Sequence, residues 1–195
     1  LAAEDDRKLQ GGLADQEDGI NIQAISSSLG RPLDVVLGMD MLQNLFLRLD
    51  PDRKVIVFSR HPIHSQDLFR HGRQFDLATS KGIPSLKLSI EGKPIKMLLV
   101  TALNLTLLPA GLLSHFSPTG QSNILLPGIV DFAAPVYRLP LKIETHQLNT
   151  QCAALPDQLR EQLGIGADEG LLGAEFLAKM PSYLSFPQNK LALVF

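Results

Sequence analysis

Four residues with metal-binding side chains lie close together in the middle of the chain. His61, His64 and His71 supply three imidazoles and Asp67 supplies a carboxylate, a set of ligands that could hold zinc. Pro62 interrupts helical spacing among them, and no second group of ligands accompanies them to close a site. We interpret this segment as a solvated basic linker, and the sequence predicts neither a metal ion nor another cofactor.

The single cysteine, Cys152, is the next candidate for chemistry. It lies in an apolar segment without an adjacent histidine or basic residue that would stabilise a thiolate. We therefore expect a buried thiol that packs as a small hydrophobic side chain. One cysteine also leaves no partner for a disulfide within the chain.

Other catalytic patterns are missing from the sequence. It contains no Gly-x-Ser-x-Gly, no His-Glu-x-x-His and no phosphate-binding P-loop, so three common classes of hydrolase and nucleotide site are not indicated. The paired acids Asp168 and Glu169 are expected in a solvated turn. Asp40 and Glu175 occupy equivalent positions of an internal repeat, which is described below. We assign none of these acids a catalytic role.

The most regular stretch of the chain, 83–109, predicts a β-hairpin, a loop and a further short strand. Apolar and polar residues alternate over 85–90, which is the period of a half-buried strand. Gly92 lies in the turn, where it is free to adopt a positive φ. A second apolar strand ends at Leu99, and the tripeptide Val100-Thr101-Ala102 follows it before the short strand.

This order of elements resembles the active-site hairpin of the retropepsin-like aspartic proteases, in which the second strand ends in Asp-Thr/Ser-Gly-Ala. Here Val100 stands in place of the catalytic Asp, and Thr101 matches the hydroxyl residue. Ala102 replaces the Gly, and Leu103 replaces the Ala. The resemblance implies a mainly β fold, made of retropepsin-like, acid-protease-like β-barrel lobes with short helices.

The residue at position 100 removes the chemistry of that family. Aspartic proteolysis requires two carboxylates close enough to share one proton, so that one acts as base and the other as acid. Valine can neither hold a proton nor polarise water. Because no Asp-Thr-Gly or Asp-Ser-Gly occurs elsewhere in the chain, we expect a degenerate, pseudoprotease-like member without acid-protease activity of its own.

An internal repeat is the second strong pattern in the sequence. The segment 171–177 repeats the hydrophobic-Leu-Gly-x-acid pattern of 36–42, with Gly173 matching Gly38, and a predicted hairpin follows each copy. The prolines of the two hairpins are spaced one position further apart than the two glycines. Two matches in a fixed order indicate a true repeat. In retropepsin-like proteins such a segment enters the helix of a lobe, and the resemblance implies that its acid, here Asp40 or Glu175, serves the start of that helix by dipole and capping.

The repeat and the resemblance together predict four regions. They are a flexible arm over 1–18, the second half of a first protease-like lobe over 19–60 that opens with a short strand from Ile20 to Ala24, an inter-lobe linker over 61–74, and a complete lobe with the degenerate loop over 75–195. The hairpin of the first lobe would precede Leu1, and the sequence does not decide whether it was removed or never existed.

The resemblance implies a groove between lobes that holds an extended peptide by strand-like hydrogen bonds. Two sets of residues are expected along it: a groove floor of Val100, Thr101 and Ala102, and a candidate flap edge of Phe132, Pro135 and Tyr137. An ordinary hairpin tip is an equal alternative for the second set.

Three interpretations of function follow. The first is a non-catalytic module that binds a peptide or protein partner in the groove. The second is an aspartic peptidase whose catalytic Asp lies in an N-terminal segment or a partner subunit. The third is structural: the half-lobe leaves open sheet edges, which favours a homodimer or a complementing fragment of the same protein.

Composition narrows the range of partners. A formal net charge of −2 gives no electrostatic reason to expect nucleic acid. No apolar run approaches the ~20 residues of a transmembrane helix, so we expect no membrane insertion. A hydrophobic fraction of 45% is enough for a buried core. The single cysteine and the resemblance point to a bacterial protein in the periplasm or outside the cell.

Overall fold

The computed structural model describes residues 22–63, 72–80, 82–127 and 129–195. The helices are α1 (Ile22–Leu29), α2 (Met39–Leu42), α3 (Ala110–Leu113), α4 (Asp157–Gln162) and α5 (Ala174–Leu177). The strands are β1 (Phe46–Asp50), β2 (Val55–Ser59), β3 (Gly72–Asp76), β4 (Ala78–Ser80), β5 (Ile83–Ile90), β6 (Lys93–Leu99), β7 (Thr106–Pro109), β8 (Gly120–Leu126), β9 (Val130–Ile143), β10 (His146–Leu155), β11 (Glu169–Leu172), β12 (Ser182–Ser185) and β13 (Lys190–Val194). This mainly β architecture with short helices confirms the predicted fold class.

The strands form two sheets. The smaller sheet has five strands in the order β2-β1-β12-β13-β3. The larger has eight in the order β4-β5-β6-β11-β7-β10-β9-β8. Strand β5 also pairs with β9, with Ile90 opposite Leu141, so the larger sheet curls back on itself.

The hairpin predicted between 83 and 99 is confirmed. Strands β5 and β6 pair antiparallel up to Ile90 and Lys93, so the turn consists of Glu91 and Gly92. Both turn residues have positive φ, 50° at Glu91 and 80° at Gly92. This is the conformation whose twist matches a two-residue hairpin.

The main hydrophobic core lies between the two sheets. Its buried side chains come from both of them, for example Leu184, Leu191 and Leu193 from the smaller sheet and Leu88 and Met97 from the larger. Alternation along each strand sends the intervening side chains to the opposite face. On the larger sheet those side chains, together with Leu159 of α4, form a second buried cluster.

The backbone of 38–59 recurs over 173–194 without insertion or deletion. Gly38 precedes α2 with φ −80° and ψ 171°, and its counterpart Gly173 precedes α5 with φ −79° and ψ 172°. The turns after β1 and β12 are equally long, and each ends at a positive φ, 55° at Lys54 and 52° at Asn189. Aligning the repeat on the prolines of the two hairpins was therefore wrong by one position.

Three local predictions need correction or fall outside the described residues. The segment opening at Ile22 is helix α1 and not a strand, since Ile22, Ile25 and Leu29 recur with helical spacing. Residues 72–74, predicted to belong to the linker, lie in β3, which pairs with β13. The arm over 1–18 and positions 64–71 of the linker lie outside the described residues.

Candidate functional site

The loop that carries Val100 lies where three strands of the larger sheet meet. Strand β11 lies between β6 and β7, parallel to β6 and antiparallel to β7. The Val100 N–H donates to the carbonyl of Leu172 at 2.9 Å, and the Leu103 N–H donates to the carbonyl of Val100 at 3.0 Å. The loop is therefore a hydrogen-bonded turn held against the end of β11.

Gly173 makes this close approach possible. A Cβ atom there would lie 2.7 Å from the carbonyl carbon of Leu105 and 2.9 Å from the oxygen of Leu103, both of them backbone atoms. The next residue, Ala174, donates its N–H to the carbonyl of Leu103 at 2.8 Å. In the sequence, Gly173 stands out only as part of the repeat, because this contact joins residues far apart in the chain.

Asn104 fixes the far side of the loop to β8. Its side-chain amide donates to the carbonyl of Asn123 at 2.9 Å, and its Oδ1 accepts from the N–H of Leu125 at 2.8 Å. The Asn104 N–H also donates to the carbonyl of Leu125 at 3.2 Å. The loop is therefore held on both sides. No motif in the sequence marks Asn104 for this role.

A mainly apolar cavity of about 470 Å³ opens beside this loop. It is lined by Leu49, Asp50, Pro51, Lys54, Val55, Ile56, Thr101, Ala174, Leu177 and Ala178. Thr101 is thus the residue of the predicted groove floor that reaches the cavity. Val100 is partly buried and packs against the second hydrophobic cluster. Ala102 is exposed and is not part of the cavity lining.

Asp50 is the carboxylate among these lining residues, and it is already engaged. It is only 6% exposed. The Arg48 guanidinium donates to its Oδ2 at 3.1 Å, and the Arg53 N–H donates to its Oδ1 at 3.2 Å. Aspartic proteolysis requires two carboxylates that share a proton. The described lining supplies a single carboxylate, and that carboxylate is held in an ion pair. The cavity therefore offers apolar surface and one carboxylate whose charge Arg48 neutralises.

The candidate flap residues lie within strands and away from a hairpin tip. Phe132 pairs with Ile124, and Pro135 pairs with Gln121. Tyr137 pairs with Cys152 of β10. That these residues edge a flap over the groove stays a prediction.

The remaining candidate residues have structural environments. Burial, with a contribution from the carboxylate of Glu175, raises the pKa of Cys152 to about 12, so the thiol is protonated at neutral pH. Glu169 is not in a solvated turn as expected, because it begins β11 and forms an ion pair with Lys96 at 2.7 Å.

Neither of the two acids in the first turn of a short helix is among the residues that line the cavity. Glu175, in the first turn of α5, forms an ion pair with Lys179. Asp40, its counterpart in the repeat, lies in the first turn of α2.

His61 is exposed, whereas His64, Asp67 and His71 lie outside the described residues. Across 22–63, 72–80, 82–127 and 129–195, no group of three His, Cys, Asp or Glu side chains is arranged to hold a metal ion. Over the same ranges, no helix is long and apolar enough to cross a membrane.

The structure of this chain is similar to those of several solved proteins. A retropepsin-like aspartic protease from Rickettsia conorii is 14% identical, covers 63% of this chain and 90% of its own, and has a TM-score of 0.43. The chain resembles the retropepsin-like fold. The native protease-reverse transcriptase of prototype foamy virus is 15% identical, with a TM-score of 0.38, over 50% of this chain and 11% of the viral one.

A foamy viral protease-reverse transcriptase in complex with an RNA/DNA hybrid is 14% identical, with a TM-score of 0.39, over 51% of this chain and 12% of the viral one. The chain therefore spans a small part of both viral chains. No family model and no curated protein matches the sequence.

Proposed function

We propose that this protein is a non-catalytic, aspartic-protease-like module that binds a peptide or protein segment in the cavity beside Thr101. The observation that supports this most directly is the lining of that cavity. It combines mostly apolar side chains with one carboxylate, Asp50, which Arg48 already neutralises. Such a site can bury a polypeptide segment but holds no proton-sharing pair that would cut it.

The residues around the cavity have separate roles in this proposal. Leu49, Val55 and Ile56 offer apolar surface, and each Å² of apolar area removed from water stabilises the complex by about 25 cal/mol. Thr101 is exposed, and its hydroxyl can donate to or accept from the main chain of an extended segment. Lys54 supplies a cation at the rim for a carbonyl or carboxylate of the partner.

A second candidate function is an aspartic peptidase whose catalytic Asp is supplied by an N-terminal segment or a partner subunit. The observation that favours it is the repeat, since the backbone of 38–59 copies that of 173–194, the segment on which the loop of Val100 rests. A loop from another segment could rest on the first copy in the same way. Two such carboxylates would still be required, so a homodimer would have to bring two supplied loops together.

The test is binding of a library of short extended peptides to the full chain, measured by fluorescence anisotropy. Thr101→Trp places an indole in the cavity, and we expect it to weaken binding of the selected peptides by about tenfold or more, the loss of ~1.4 kcal/mol. Thr145→Trp makes the same change in an exposed turn and should leave affinity unchanged. Equal affinity for both variants would place the peptides elsewhere and reject the proposal.

A further inference from the structure

Large apolar side chains are exposed mainly in the first copy of the repeat. Of the eight such residues in the described chain, six lie between 33 and 59: Val35, Val36, Val55, Ile56, Val57 and Phe58. We call these six residues the acceptor face. Single exposed apolar residues are ordinary on protein surfaces. Here, however, β2 exposes apolar side chains on both of its faces, because Val55 and Val57 alternate with Ile56 and Phe58.

The second copy buries five of the six positions that correspond to the acceptor face, the exception being Lys190, the half-buried counterpart of Val55. Ile56 is 58% exposed, and its counterpart in the second copy, Leu191, is 1% exposed. Phe58 is 46% exposed and its counterpart Leu193 is 0% exposed. The two copies have the same backbone, so the difference in burial comes from what packs against them.

Two sets of strands cover the second copy. Strand β13 is flanked by β12 and β3, whereas its counterpart β2 pairs with β1 alone within the described part of the chain and lies there at the edge of the sheet. Strand β11 is held between β6 and β7, whereas its counterpart, 34–37, belongs to no strand and has no strand partner among the described residues.

The glycines show the same asymmetry. A Cβ on Gly173 would meet the backbone of Leu103 and Leu105, while a Cβ on Gly38 would meet only the side chain of Asp40. The backbone of the first copy is therefore shaped for a close approach that no described residue makes.

We propose that the acceptor face binds a polypeptide partner with the fold of residues 72–109. One strand of this partner pairs antiparallel with β2, as β3 pairs with β13. Its hairpin and following strand flank 34–37, as β6 and β7 flank β11. The inference deepens the proposed function and rests on it, because Val55 and Ile56 belong both to the acceptor face and to the cavity lining.

The register of the second copy predicts the partner's sequence pattern. Phe75 of β3 lies opposite Leu191 and is buried in the main core. The counterpart of Leu191 is Ile56, so the partner carries a large apolar residue opposite Ile56. Its neighbour, the counterpart of exposed Gln74, lies opposite Val57 and is polar.

A second folded copy of this chain does not fit the acceptor face in this way. In each copy β3 is already paired with β13, and the hairpin of β5 and β6 is already paired with β11 through β6. Strand β7 is likewise engaged, because it pairs with both β10 and β11. The occupant is therefore another half-lobe segment, distinct from 72–109 of a folded copy.

The experiment uses a synthetic peptide with the sequence of residues 72–109 as the probe and the full chain as the receptor. Hydrogen exchange of the amides of 55–58 is followed by mass spectrometry as peptide is added. We expect saturable slowing of exchange by at least about tenfold, because edge amides gain strand hydrogen bonds. No slowing at saturating peptide concentrations would overturn the inference.

Two matched variants locate the effect. Phe58→Glu and Ile129→Glu each place a carboxylate at an exposed apolar site, 46% and 43% exposed respectively, and only the first lies on the acceptor face. Slowing should be lost in Phe58→Glu and kept in Ile129→Glu. Val36→Glu repeats the test on the other segment of the face if Phe58→Glu does not fold. Equal slowing in all variants would overturn the inference.

The mass of the full chain in solution and its binding of short peptides separate the remaining outcomes. If the chain alone is a dimer that already protects 55–58, a second copy covers the face and the inference is wrong. If short peptides bind with sensitivity to Thr101→Trp but the 72–109 peptide does not protect β2, the inference fails while the proposed function stands. If neither binds, both fail.

Discussion

Arg48 and Tyr183 lie directly opposite each other in the antiparallel pair of β1 and β12, and each is the counterpart of the other in the repeat. An antiparallel pair has a local twofold axis perpendicular to it, and here that axis passes between these two equivalent residues. The hairpin of β1 and β2 is thus related by local symmetry to the hairpin of β12 and β13. The symmetry ends at β3, which covers β13 and leaves β2 open.

Gly173→Ala tests the close contact between Gly173 and the loop of Val100. Gly38→Ala, the same change at the equivalent position of the first copy, is its control. The added methyl at 173 meets the backbone of Leu105 and Leu103 at 2.7–2.9 Å, and we expect a loss of ~2–4 kcal/mol in the free energy of unfolding. At 38 it meets only the flexible Asp40 side chain, so we expect a change below ~1 kcal/mol. Urea unfolding of both variants measures the difference, and similar losses would contradict it.

Leu193→Ala and Phe58→Ala compare equivalent positions of the two hairpins. Leu193 is fully buried in the main core, and its truncation should cost ~2–5 kcal/mol. Phe58 is exposed on β2, and its truncation in the isolated chain should cost less than ~1 kcal/mol. A large loss at Phe58, measured by thermal unfolding at low protein concentration, would mean that something already covers the acceptor face.

The buried thiol of Cys152 predicts a loss of stability at alkaline pH. Burial raises its pKa from 9.0 to about 12, so between those values the folded chain holds a proton that the unfolded chain has released. The free energy of unfolding therefore falls as pH rises above 9.0, by up to ~1.4 kcal/mol per pH unit from this group. Below that pH the thiol is protonated in both states, and its contribution to stability is fully present.

Cys152→Ala separates this effect from other titrations. The free energy of unfolding is measured against pH for this variant and for the native chain. The difference between the two should change only above pH 9.0. The native chain should also resist iodoacetamide at mildly alkaline pH unless it is unfolded first, because the thiolate is the reactive form. Rapid alkylation of the folded chain would contradict the assignment.

The double variant Val100→Asp, Ala102→Gly restores Asp-Thr-Gly to the loop and separates the two candidate functions. One restored carboxylate is not a proton-sharing pair, so we expect no pepstatin-sensitive cleavage from the purified chain. The change should also lower stability by ~1–3 kcal/mol, because Val100 is partly buried and a carboxylate is costly there. Appearance of cleavage would mean that a second Asp is supplied by another subunit, as the peptidase interpretation requires.

Local patterns in the sequence predicted the local structure well. The hairpin of β5 and β6 follows from alternation and a Gly turn, both of which act between neighbouring residues. The repeat was visible because Leu-Gly and a hairpin recur in order. The strand predicted to open at Ile20 was wrong because a period of two over so few residues does not distinguish a strand from the helical spacing of Ile22 and Ile25.

Contacts between distant segments were beyond a single sequence. The pairing of β1 with β12 joins opposite ends of the described chain, and nothing in either strand specifies the other. The fit of the loop over Gly173 and the anchoring by Asn104 likewise depend on β11 being placed between β6 and β7. The cavity beside Thr101 arises from those same placements, so the rest of its lining, including Asp50 and its ion pairs, was not predicted.

The most direct test of the central claim, that the groove holds a polypeptide without cutting it, is the intact mass of bound peptides. Peptides selected for binding are incubated with the native chain between about pH 3 and 7, the range of carboxylate pairs that share a proton, with and without pepstatin, and weighed by mass spectrometry. We predict that every peptide keeps its full mass while its affinity depends on Thr101. Pepstatin-sensitive fragments would contradict the account and assign the chain to catalysis.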